Sequence, residues 1–127
     1  MFLKNKKVVV TGGSGMIGTQ YIVQLLKLGA KIKTHTHINK LNIIDEKITV
    51  VKNIDLENYN DAENLIDGAD YVIHSAGKIA HPSEVPRDFQ VALNQIVCQT
   101  NVLEAAYKAG VKGYLDINSS TGYPDRR

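Results

Sequence analysis

The sequence predicts an α/β fold, a doubly wound parallel sheet of order 3-2-1-4-5 that ends after its fifth strand. Three observations carry this. Short apolar runs alternate with helical patterns along the chain, as βαβ units require. A glycine-rich turn, Thr11-Gly12-Gly13-Ser14-Gly15-Met16-Ile17-Gly18, joins the first run to the first helical pattern. The 127 residues, 43% hydrophobic and 22% charged, suit one globular domain, residues 1–127, with a core of its own.

Taken in order, the β-branched run Val8-Val9-Val10 places a first strand at residues 7–11 and an amphipathic helix at 16–28. Gly29 closes that helix as its C′ residue. A second strand follows at 30–36 and a third at 47–51, with a helix over 56–66. The turn Asp67-Gly68-Ala69 opens a fourth strand at 70–74. A long helix runs from about 87 to 109 and is closed by Gly110, and a fifth strand occupies 114–118. Asp116, charged within a strand, is expected to face solvent. Repeats, low-complexity tracts and internal linkers are absent from the sequence.

Composition excludes several classes. One cysteine, Cys98, cannot form an internal disulfide and fits a reducing compartment. No apolar run reaches the length of a membrane span, and the lysine-led N-terminus lacks the apolar core of a signal peptide. A cytoplasmic protein without a membrane partner is expected. Residues 1–44 hold no acid but seven lysines, Lys4, Lys6, Lys7, Lys27, Lys31, Lys33 and Lys40, while all 13 acids follow Ile44. Such a segment could serve anionic phosphates, or simply be solvated. It lacks the basic stripe with interleaved aromatics of a nucleic-acid binder.

The turn at Gly12, Gly15 and Gly18 also contains a literal G-x-G-x-x-G from Gly13 to Gly18. Between a strand and a helix this is a dinucleotide-binding fingerprint of the Rossmann type. Gly12 permits the tight turn, Gly15 lets backbone approach a pyrophosphate, and Gly18 lets helix and strand pack closely. The amides and dipole of the helix then hold the phosphates. An acid about 20 residues on normally bonds the ribose 2′-hydroxyl. That place is Thr36, and no acid precedes Asp45. Thr36, His37 and Lys40 suit a 2′-phosphate, so the cofactor is NAD(P), with NADP favoured. His35 and His37 alternate along a strand and form no metal pair; no metal is expected.

Four further stretches carry a resemblance: Asn53-Ile54-Asp55-Leu56; Asp70-Tyr71-Val72-Ile73-His74-Ser75-Ala76-Gly77; Asn94-Gln95 with Asn101-Val102-Leu103-Glu104-Ala105-Ala106; and Asn118-Ser119-Ser120-Thr121-Gly122-Tyr123-Pro124. In this order they resemble the extended short-chain dehydrogenase/reductases. The likeness is to the NAD(P)-dependent sugar-nucleotide epimerase/dehydratase family that includes UDP-galactose 4-epimerase. It runs from about residue 6 to 124. It implies that Gly12, Gly15, Met16, Ile17 and Gly18 form the pyrophosphate loop and its helix entrance. Ile54 and Asp55 would contact adenine. His74, Ser75, Ala76 and Gly77 would line the ribose and nicotinamide, with Asn94 near the nicotinamide. Ser119 falls on the catalytic Ser/Thr, whose hydroxyl polarises a substrate oxygen. Plainer roles exist: Asp55 as a cap on the helix after it, His74 as a structural histidine, Asn94 and Asn101 as ordinary polar positions, Ser119 as a turn residue.

The family's general acid/base is a tyrosine with a lysine four residues later. No tyrosine here has Lys at that spacing; Tyr123 has Arg127, but matches the family's Tyr-Gly turn, with Pro124 in place of the glycine. The chain is therefore expected to be the cofactor-binding part of a longer epimerase, dehydratase or reductase, inactive alone. A nucleotide sugar would bind only in the full-length parent. The alternative is a non-enzymatic dinucleotide-binding or redox-sensing module. The fifth strand becomes an exposed edge and the long helix lacks covering partners, so self-association is expected.

Overall fold

The structure, a computed structural model, describes residues 2–36, 39–77 and 89–117. Along the chain lie β1 (Lys7–Thr11), α1 (Met16–Lys27), β2 (Lys31–Thr36), β3 (Ile48–Lys52), α2 (Tyr59–Ile66), β4 (Tyr71–His74), α3 (Phe89–Lys108) and β5 (Gly113–Asp116). The five strands form one sheet of order β3-β2-β1-β4-β5, every pairing parallel. This is the sheet the alternating pattern predicts.

β1 is central, and Val8, Val9 and Val10 are all buried, each burial contributing about 2 kcal/mol. Val9 points into the cluster formed with Val72, Leu65, Ile66, Val102 and Ala106, on the α2 and α3 side. Val8 and Val10 point into the other, with Ile22, Leu25, Ile32 and Ile73 on the α1 side. Among the described residues no helix joins β2 to β3; Leu41 and Ile43 of that connection pack against the α1-side cluster instead.

Helix ends explain most boundary differences. Gly29 (φ +79) donates to Leu26 and Ala30 donates to Leu25, a Schellman closure that holds Ala30 outside β2. Gly110 and Val111 close α3 in the same way, on Tyr107 and Ala106. The predicted helix at 56–66 starts later, at Tyr59. Asn58 is its cap, accepting from the amides of Asn60 and Asp61, and Leu56 is drawn into the core on the approach. β5 starts one residue earlier than predicted, with Gly113 opposite Tyr71; its pairing extends to the Ile117 amide on the His74 carbonyl.

The lysines of the acid-free segment do not gather at one phosphate site. Lys7, Lys31 and Lys33 line a depression at the amino edge of the sheet, with Glu46 and Asp67. The Lys33 ammonium bonds the carbonyls of Asn64 and Asp67, and partial burial lowers its pKa.

Candidate functional site

A cleft of about 540 Å³ opens at the carboxyl ends of β1, β2 and β4, where the strand order reverses. Its floor is the glycine turn. Gly12 takes φ +67, and a Cβ there would stand 2.8 Å from the Ala76 backbone. The turn closes with the Gly15 amide on the Gly12 carbonyl at 3.0 Å. Gly15 then caps α1 with φ −78 and ψ 167, no side-chain cap and no acid in the first turn. Its orphan amides are therefore left for an anion. α2 is finished differently, by Asn58 and by Asp61 in its first turn.

Two buried histidines hold the junction between β1 and the turn. The Gly12 amide donates to His35 Nε2 at 3.1 Å, from β2. On the other side, the Thr11 hydroxyl accepts from the amides of Ser75 and Ala76, both at 3.1 Å, and lies 2.7 Å from His74 Nδ1. Two accepted bonds leave that hydroxyl only its proton, so it donates to the imidazole. Ser75 Oγ adds a bond of 2.6 Å to the Thr11 carbonyl. Burial lowers the His74 pKa, against the opposing pull of Asp116 on β5. Asp116 does not simply face solvent: it is half-buried beside His74, and Gln99 on α3 donates to its carboxylate at 2.5 Å.

The facing wall follows β3. Ile54 is buried, and Asp55 lines the cleft. Asp55 Oδ1 accepts from the Glu57 amide at 3.0 Å and its own amide donates to Asp61. It shapes the turn ahead of α2 but is not the helix cap, which is Asn58. Among the described residues no hydrogen bond engages Asp55 Oδ2. Asn101 on α3 ties this turn down, donating to the carbonyls of Leu56 and Glu57 at 2.9 and 3.0 Å. Asn94, Gln95 and Cys98 form the α3 side of the cleft, with Gln90 donating to the Asn94 side chain.

Of the residues singled out in the sequence as cofactor contacts, the cleft brings together Gly12, Gly15, Ile54, Asp55, Ser75, Ala76, Gly77 and Asn94. His74 lies beneath it, and Gly18 lies behind the turn against Gly12. Met16 (85% exposed) and Ile17 point to solvent. Thr36 and Lys40 line a separate depression with Lys52. His37, Ser119, Tyr123, Pro124 and Arg127 lie outside the described residues. His35, Ser14, Asn39 and Glu57 also line the cleft and were not read from the sequence as cofactor contacts. For His35 the available signal was its place at the end of the second strand, one residue before Thr36.

The profile of the NAD dependent epimerase/dehydratase family matches residues 8–127. A bifunctional UDP-glucose 4-epimerase and UDP-xylose 4-epimerase of Pisum sativum is 30% identical over 97% of this chain, which spans 39% of that protein's length. Among solved structures, the epimerase Mth375 of Methanothermobacter thermautotrophicus superposes with a TM-score of 0.85 at 25% identity. That match covers 98% of this chain and 38% of the other. The Bordetella bronchiseptica enzyme WbmH, solved in complex with NAD+, gives 0.72 at 26% identity over 87% of this chain and 38% of its own.

Proposed function

This chain belongs to the NAD-dependent epimerase/dehydratase family, and from that premise we propose that its cleft holds a nicotinamide dinucleotide. The carrying observation is the α1 N-terminus, uncapped by any side chain and opening on the cleft across Gly15. Pyrophosphate oxygens would satisfy those amides; Asp55, whose Oδ2 is engaged by none of the described residues, would accept from the adenine amino group; Ser75, Ala76 and Gly77 would lie along the ribose and nicotinamide. The cofactor supplies reversible hydride acceptance from a sugar hydroxyl. The chain's own residues bind and orient it: Thr11 and His35 fix the turn, and Asn101 fixes the Asp55 wall.

NADP is favoured over NAD in this reading. β2 ends at Thr36 without an acid, and Lys40 and Lys52 share the depression beside it, where a 2′-phosphate would find two cations. The parent activity would be epimerisation, dehydration or reduction of a nucleotide sugar. The isolated chain would bind without turnover, because no tyrosine has lysine at the fourth following position. That same lack favours the second reading, a non-enzymatic dinucleotide-binding module. Coding sequence for Tyr-x-x-x-Lys directly after Arg127 would decide for the enzyme.

Thermal melts in the two cofactors test the proposal. At 100 times Kd a ligand stabilises the folded chain by about 2.7 kcal/mol. A larger rise in melting temperature with NADP than with equal NAD is expected; equal or reversed rises would overturn the NADP preference.

A further inference from the structure

We propose that His35 and His74 act together as positioning residues of the glycine turn, each competent only as a neutral ring, so that dinucleotide affinity falls on acidification. This rests on the cleft binding a dinucleotide. The two rings enter from β2 and β4, on either side of β1, and bond adjacent residues: His35 Nε2 takes the Gly12 amide, His74 Nδ1 takes the Thr11 hydroxyl. Thr11 and Gly12 are the first residues of the turn, and the Thr11 hydroxyl also carries the amides of Ser75 and Ala76. Both cleft walls therefore depend on these two acceptors.

The directions of the bonds fix the protons. His35 accepts at Nε2, so its ring proton sits on Nδ1. His74 accepts at Nδ1, so its proton sits on Nε2. The two buried rings thus hold opposite tautomers. Protonating either one places an N–H against a donor. At His35 the Gly12 amide loses its partner. At His74 the Thr11 hydroxyl must turn its proton away and gives up one of the amides it accepts.

The charged surroundings of the two rings differ. His74 faces the Asp116 carboxylate on β5, itself engaged by Gln99 on α3, while β1 presents only Thr11. His35 shares the cleft with the carboxylates of Asp55 and Glu57, while β3 presents Val51 opposite it. Burial outweighs Asp116 at His74 and keeps its pKa below 6.5, so that ring stays neutral at pH 7 and charges only in acid.

Two measurements test this. Long-range ¹⁵N–¹H spectra of the imidazoles at pH 7.5 need no ligand; Nδ1–H at His35 and Nε2–H at His74 are expected. The same tautomer at both, or a charged ring at either, overturns the proposal. NAD, whose diphosphate does not titrate in this range, is then titrated calorimetrically from pH 8 to pH 5. One linked proton weakens binding by up to about tenfold per pH unit below the pKa, so affinity is expected to fall progressively on the acid side of 6.5. The double variant His35→Gln, His74→Asn keeps an acceptor at each place but cannot titrate, and should bind at pH 5 nearly as at pH 8. An equal loss in variant and wild type, or no loss in wild type, overturns the proposal. Absence of NAD binding at pH 8 instead defeats the dinucleotide reading, and the tautomers still decide the roles of the rings.

Discussion

Gly18 packs against the Gly12 carbonyl so closely that a Cβ at 18 would overlap its oxygen and stand 2.7 Å from its carbon. The last glycine of the turn is thus fixed by the first. Both contacting atoms are backbone, so neither can swing aside. Gly18→Ala should destabilise the fold by about 2 kcal/mol or more, as overpacking of a rigid site does. Urea denaturation with a lowered midpoint and unchanged slope would show it.

Asn101 joins α3 to the turn after β3 through the carbonyls of Leu56 and Glu57. Asn101→Leu removes both donors while keeping the side chain's bulk. A loss of about 1–2 kcal/mol is expected, the usual cost of stranding part-buried acceptors. Amide hydrogen exchange should quicken at residues 55–58 and stay unchanged at the far end of α1.

Tyr114 gives a prediction of opposite sign. Its hydroxyl is buried with no partner among the described residues, and burial, reinforced by Asp116, pushes its pKa up to about 12. Tyr114→Phe discards an unsatisfied polar group and should leave stability unchanged or raise it by up to about 1 kcal/mol. The native state holds the phenolic proton more tightly than the unfolded chain does. That contribution is complete below the ordinary value of 10.0 and is lost as pH rises from there through about 12. Alkaline melts should therefore show a steeper loss in wild type than in the Phe variant.

α3 carries a second apolar stripe facing outward: Phe89, Leu93, Ile96, Leu103 and Tyr107, with Thr100 in the remaining step. The spacing alternates fours and threes, as in the seam of a helix pair. Leu115 on β5, the edge strand among the described residues, is exposed as well. Sedimentation should show the isolated chain associating with rising concentration, and Ile96→Glu with Leu103→Glu should return it to monomer without lowering helix content. A monomer at all concentrations would contradict this.

The path from β1 through the turn to α1 was legible because glycine spacing and β-branched runs act locally. Sheet order followed from the alternation of elements and the handedness of crossovers. Residues 56–58 were misread as helix because Leu56 continues an apolar rhythm that the core, not a helix, accounts for. Asp116 looked anomalous until Gln99 and His74 stood beside it. His35 and Thr11 were missed as parts of the site for a similar reason. Nothing local in either strand marks them, and the parallel register of β2 and β4 on β1 is what brings partners to them. The basic bias of the first 44 residues was real, but chain direction sends several of its lysines to the amino edge, away from the cleft.

Calorimetric titration of wild type and Gly15→Val with NADP tests the central claim most directly. Gly15 has an extended backbone that any residue adopts, and among the described residues its Cβ would meet the Gly12 carbonyl oxygen alone, at 3.2 Å. Valine presses on that backbone oxygen and costs some stability, so the two proteins are compared well below the variant's melting temperature, where it is folded and fills the approach to α1. Saturable one-to-one binding by wild type, weakened about tenfold or more in Gly15→Val, is predicted. Absence of binding by folded wild type, or equal affinity in the two proteins, would contradict a dinucleotide held at this turn.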